Sequence, residues 1–168
     1  MKKVYEVKMV LGVETDTLDS YGRVINFNPN LQSDNPYSVE DVTRVLDSFK
    51  GEQAQVPPQF SAKNINGKRA YSLARQGKEV ELKPVSITIY DIDNIKVSLF
   101  SLPFISFKLI CSKGTYIRSM VRDLATRLGT VAYTKDLVRL KIGEYSISSA
   151  IDYDDLGIES IKAGVFSD

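Results

Sequence analysis

The stretch FISFKLICSKGTYIRSMVRDLATRLG, Phe104 to Gly129, reads as two elements joined by a short turn. Phe104 to Ser112 is β-branched and apolar, the composition of a strand. Ile117, Met120, Val121, Leu124 and Leu128 then recur at helical spacing, and Gly129 is a natural stop. The spacing predicts a helix over 115–128. Its start is unusual. Lys113 and Arg118 sit at the positive end of the helix dipole, where each cation costs roughly 0.3–1 kcal/mol. Two cations at that end call for an anion from outside the helix.

Working outward, VSITIYDIDNI (85–95) is a further strand, and VAYTKDLVRLKIGEYSI (131–147) is extended. DYDDLGIESIKAG (152–164) suggests a short final helix. Upstream, KRAYSLARQG (68–77) reads as a short helix after the Pro-bearing connection QVPPQFSAKNING (55–67). Ser38 is a cap for a helix carrying Val42, Val45, Leu46 and Phe49, with Gly51 just past its end. NPNLQSDNP (28–36) is a loop. VYEVKMVLG (4–12) alternates as a strand with one wet face, VETDTLDSYG (13–22) is turn chemistry, and RVINF (23–27) returns as a strand. This order lacks the regular strand–helix alternation of a doubly wound sheet. The fold class is α+β, a mainly antiparallel mixed sheet backed by helices.

The 168 residues allow one domain with a core, and no interdomain linker stands out. Hydrophobic content of 43% with 26% charged residues is ordinary for a soluble domain. Neither a signal peptide nor a membrane span is visible, and Cys111 is the single cysteine, so a reducing cytoplasm is the expected location. There is no histidine. Ser-His-Asp and Cys-His catalysis and His-containing metal sites are therefore excluded within the chain. Asp, Glu, Lys, Arg, Tyr, Ser and Thr remain.

The net charge of +1 hides an uneven distribution. Between Lys108 and Lys141 eight basic residues face only Asp123 and Asp136. Lys63, Lys68, Arg69, Arg75 and Lys78 form a second basic stretch. Solvated helix faces and a nucleic-acid footprint both account for this pattern.

Four blocks carry a resemblance: KKVYEVKMVLGVETDTLDSYGRV (2–24), QVPPQFSAKNINGKRAYSLARQG (55–77), CSKGTYIRSMVRDLATRLG (111–129) and LVRLKIGEYSI (137–147). In order and spacing they are similar to the bacterial tRNA pseudouridine synthase B family, from Lys2 to about Ile151. The resemblance implies isomerisation of the tRNA T-arm uridine at position 55 to pseudouridine, without cofactor or metal. An aspartate attacks a flipped-out nucleotide, and the base detaches, turns and rejoins through carbon. Flipping costs a few kcal/mol, and an aromatic platform returns about 1–3 kcal/mol.

By this resemblance Tyr5 is the tyrosine that stacks on uracil, where the bland alternative is a core tyrosine. Arg118 is the arginine that pairs with the catalytic carboxylate, and Tyr116 shapes the same pocket. Leu140 lines the uracil site or is plain core. Arg139 lies at the pocket rim or in a surface salt bridge. Lys63, Lys68 and Arg69 hold RNA phosphate or are simply solvated. Asp16 and Asp19 are turn formers near the cleft.

The family's nucleophile block, G-x-L-D-P-x-A-x-G, is absent from these residues. The expectation is a partial catalytic domain, 1–168, without a second RNA-binding module. It would be inactive alone and would self-associate through surface that the absent part covers. Arg118 would then await an aspartate outside this sequence, with RNA phosphate as the second candidate. Two other readings stay open: an RNA-binding module without catalysis, and an enzyme using Asp16 or Asp19 as nucleophile.

Overall fold

The computed structural model describes residues 1–28, 37–61, 64–65, 68–69, 82–99 and 102–150. The expected helix at 68–77 is not borne out at its start, where Lys68–Arg69 is strand paired with Asn64–Ile65, and its remainder lies outside the described residues, as do the expected helix at 152–164 and most of the 28–36 loop. The strands are β1 (Lys3–Leu11), β2 (Val13–Thr15), β3 (Val24–Phe27), β4 (Gly51–Gln55), β5 (Asn64–Ile65), β6 (Lys68–Arg69), β7 (Val85–Ser98), β8 (Phe104–Cys111), β9 (Ala132–Ile142) and β10 (Tyr145–Ser146). Two helices, α1 (Val39–Asp47) and α2 (Ile117–Arg127), join them.

Six strands form one sheet in the order β10-β9-β1-β8-β7-β4, and every described pairing within it is antiparallel. β2 with β3 and β5 with β6 form two small ribbons. β1 lies inside the sheet, with Tyr5 opposite Leu109 on one side and Arg139 on the other. Strand periodicity sets which face is dry. Val7, Met9 and Leu11 of β1 are buried, as are Ile105, Phe107, Leu109 and Cys111 of β8, every second residue in each case. Both helices cover this face: α1 lies against β7, and α2 against β1 and β9. Fully burying each large apolar side chain contributes about 1.5–3 kcal/mol.

β4 is the one sheet strand that the sequence does not announce. GEQAQ has no β-branched residue and joins as an edge through backbone pairing, Gly51 opposite Ile89 and Gln55 opposite Val85. α2 buries Ile117, Ser119, Met120, Val121, Leu124 and Ala125. It ends in a Schellman turn: Gly129 at φ +73° donates to Thr126 O (3.0 Å), and Thr130 N donates to Ala125 O (2.9 Å).

Two irregularities of β9 bear on the site. The register against β1 slips between Val4/Tyr5 and between Lys8/Met9, so Leu140 and Lys135 are extra residues in β9. Between them, Leu137 and Arg139 share the helix-side face with Val7 and Tyr5.

Candidate active cleft

The turn after β2 is built around Asp19. Leu18 is buried at φ +62°, a conformation that a branched side chain adopts at a cost of roughly 1–2 kcal/mol. Backbone bonds hold it there: Leu18 N donates to Thr15 O (3.1 Å), and Leu18 O accepts from Thr134 N (2.9 Å). The result aims Asp19 inward. Its Oδ1 accepts from Thr17 Oγ1 (2.7 Å) and Tyr21 N (3.1 Å), and its carbonyl accepts from Thr15 Oγ1 (2.7 Å). Asp19 Oδ2 faces Arg118 Nη1 at 2.9 Å.

Arg118 is the second residue of α2, and its guanidinium ties three segments together. Nη1 also donates to Thr17 O (2.9 Å), and Nη2 donates to Phe60 O (2.8 Å). About a quarter of each side chain of the Arg118–Asp19 pair remains exposed, so the pair is partly desolvated but still reachable. The sequence reading placed the arginine's anion outside the chain. The structure corrects this in part, because an anion 99 positions away is already bonded to it. The signal was Asp19 in TDTLDSYG, which local chemistry explained fully as a turn former.

The guanidinium carries five N–H donors. Among the described residues three are committed, leaving Nε–H and one Nη2 hydrogen without an acceptor. The helix start itself has no side-chain cap. Buried Gln55, at the end of β4, supplies the missing partner: its Oε1 accepts from Tyr116 N (2.8 Å), and its Nε2 donates to Tyr116 O (3.1 Å). Gln55 and Phe60 were not foreseen, since nothing in PPQF marks a backbone carbonyl as a ligand.

A cleft of about 490 Å³ opens over this pair, lined by Asp19, Tyr21, Arg118, Thr134, Lys135, Leu137 and Val138 among others. Thr134 Oγ1 is buried at its wall with no partner among the described residues. Tyr5 stands on β1 beside Arg139, half-buried against the core. Burial pushes its phenol above the ordinary value, Cys111 adds to the rise, and the Arg139 guanidinium opposes it. Leu140 does not line the Arg118 cleft. It belongs to a neighbouring hollow with Arg139, Lys141, Ile142 and Tyr145. The apolar residues of LVRL that do line the cleft are Leu137 and Val138. The bulge at Leu140 breaks the alternation that a uniform strand would give.

The basic stretch divides in two. Lys108, Arg118, Arg122 and Arg127 have protein partners: Asp93, Asp19, Asp123, and Ser48 with the Phe49 ring. Lys113, Lys135, Arg139 and Lys141 form no ion pair among the described residues. Lys63 and the side chains of Lys68 and Arg69 lie outside the described residues; the backbone of Lys68–Arg69 is β6. Among the described residues no acidic, Cys or His cluster is arranged to hold a metal, and no helix is long and apolar enough to cross a membrane.

An antiparallel sheet with helices on one face thus carries a carboxylate–arginine pair in an open cleft. Residues 1–117 match the family described as TruB family pseudouridylate synthase (N terminal domain), and the chain belongs to that family. It is 42% identical over 160 residues to tRNA pseudouridine synthase B of Clostridium tetani, covering 95% of this chain and 53% of that one. It is 44% identical over 150 residues to the enzyme of that name from Borrelia garinii subsp. bavariensis, covering 89% and 51%. The chain thus spans about half the length of the curated relatives it matches. In fold it resembles a chain in the crystal structure of a Cbf5-Nop10-Gar1 complex, with a TM-score of 0.59 at 20% identity, over 92% of this chain and 35% of that one.

Proposed function

We propose that the chain serves, in the cytoplasm, the isomerisation of uridine 55 in the tRNA T arm to pseudouridine. In this reading Arg118 orients a nucleophilic aspartate that residues 1–168 do not supply. The observation that carries the reading is the half-committed guanidinium. Asp19 takes one edge of Arg118, and two donors stay available for a second carboxylate. A charge-assisted bond from them favours the ionised, nucleophilic form of that carboxylate. Asp19 fits the nucleophile's role poorly, because both of its oxygens are already engaged. It acts as the positioning residue for Arg118.

The flipped uracil would stack on Tyr5, whose raised pKa keeps the phenol neutral. Leu137 takes the lining place first assigned to Leu140, and Tyr116, just before α2, helps to shape the pocket by resemblance to the family. Arg139 stands at the rim, and Lys63, Lys68 and Arg69 act as phosphate ligands. No cofactor or metal takes part.

The test is tritium release from C5-labelled uridine in a T-arm RNA, since C5 loses its hydrogen when the glycosidic bond moves there. Residues 1–168 alone should release none, because a missing covalent nucleophile removes the reaction path itself. Binding of the same RNA should weaken steeply with salt, as phosphate contacts require. Robust release by 1–168 would overturn the missing-nucleophile reading. Salt-sensitive binding, with no release from any longer polypeptide that contains 1–168, would leave the binding-module reading in its place.

A further inference from the structure

The hollow beside the Arg118 cleft has a chemistry of its own. It holds about 340 Å³ and is walled by Arg139, Leu140, Lys141, Ile142 and Tyr145 among others. Neither Arg139 nor Lys141 forms an ion pair, and no carboxylate lines the hollow, among the described residues. Tyr145 is 77% exposed. It is nonetheless firmly placed. Ile142 pairs with Tyr145 across a two-residue turn, in which Gly143 sits at φ +56° and donates its N–H to Lys2 O (2.8 Å).

The register puts this ring on the working face of the sheet. Tyr145 stands opposite Ile142, Ile142 opposite Lys3, and Tyr5, two residues on from Lys3, opposite Arg139. Cross-strand partners share a face. Tyr5, Arg139 and Tyr145 are therefore on one side, and the two tyrosines are two strands apart, roughly 10 Å across the sheet. Arg139 stands on the strand between them.

We propose that this hollow is a second nucleotide site, which holds a nucleotide of the RNA other than the flipped uridine. Its phosphate sits on Arg139 and Lys141, and its base stacks on the Tyr145 ring. The proposal rests on the reading that RNA is the substrate. Unpaired cations beside an exposed ring answer the two parts of a nucleotide, and stacking on one ring accepts any base. Tyr21 is more exposed still, at 97%, but the cleft beside it carries the carboxylates of Asp19 and Asp136, which repel a phosphate. The Tyr145 hollow has no such opposition.

The test is binding of a T-arm RNA hairpin to 1–168 across a range of salt, with an unrelated single-stranded RNA in parallel. Tyr145→Ala should weaken binding of the hairpin about tenfold or more and leave the salt slope unchanged, because stacking releases no counterion. Tyr145→Phe, which keeps the ring, should stay within about twofold of the parent. Lys141→Gln should lower the salt slope by about 0.7, the share of one phosphate. Tyr90→Ala, at an exposed tyrosine of β7, should change neither. Unfolding midpoints verify the fold of each variant. Ring signals of labelled tyrosines, with Tyr145 assigned by its loss in Tyr145→Phe, give a second measure in the intact parent: the RNA should move the Tyr145 ring signal upfield. An unmoved Tyr145 signal, or equal affinity in Tyr145→Ala, would overturn the proposal. So would uridine 5′-monophosphate binding at Tyr145 as tightly as the hairpin, which would make this a site for a free nucleotide. Salt-sensitive binding that ignores Tyr145 counts against the second site only. Equal, Tyr145-dependent binding of both RNAs supports the site and counts against the T-arm reading only.

Discussion

The two helices begin in opposite ways. α1 is capped by its own sequence: Ser38 Oγ accepts from Asp41 N (3.0 Å), and Asp41 Oδ2 accepts from Ser38 N (3.4 Å). Acidic Glu40 and Asp41 fill its first turn, where the dipole favours them. α2 has no cap of its own, no acid in its first turn, and an arginine as its second residue. Its first peptide is held by Gln55, 61 positions away, and its arginine by Asp19, 99 positions away. The start of α1 is written locally, whereas the start of α2 is assembled from remote segments at the cost of local rules.

The contrast can be broken or sharpened by mutation. Leu124→Ala ignores it, since both helices share one core. Removing this fully buried side chain should cost about 2–5 kcal/mol in denaturant unfolding. Gln55→Met keeps volume but removes both polar atoms, leaving Tyr116 N–H unsatisfied. The expected loss is about 1–3 kcal/mol, with the α2 amides of residues 117–120 showing the fastest added hydrogen exchange. Were that loss absent, water would be as good a cap as Gln55, and the contrast would fall. Ser38→Ala should cost about 1 kcal/mol and disturb only α1 amides.

The smallest effect is on pH. The Ser38 hydroxyl, and then its backbone N–H, hold the Asp41 carboxyl below its ordinary value. That contribution is present above the unfolded carboxylate value of about 3.9 and is lost as pH falls through the lower folded value. Unfolding midpoints measured from pH 7 down to pH 3 should fall less steeply below about pH 4 in Ser38→Ala than in the parent chain.

The same contrast explains what could be read in advance. α1, β1, β8 and the end of α2 were legible because each is encoded by a cap, an alternation or a stop residue within a few positions. The misplaced cations of KGTYIRS marked a place where a local rule is broken without local compensation, and there Arg118 meets an anion 99 positions away. What answered them was not legible. Asp19 resembles any turn aspartate, Gln55 ends a strand without strand-forming residues, and Phe60 contributes only its carbonyl. Leu140 was assigned by resemblance alone, and the one-residue bulge that sets it apart from the cleft wall has no signature in LVRL. Position on a bulged strand is set by pairing with β1, which sequence spacing does not record.

The interior place of β1 has a consequence for how this chain is made. β1 is synthesised before both of its partners, β8 and β9. At about 5–20 residues per second, the stretch from Leu11 to Phe104 takes on the order of ten seconds to emerge from a ribosome. Throughout that time Val7, Met9 and Leu11 have neither of these partner strands. Pairing across such sequence separation is slow even in a finished chain.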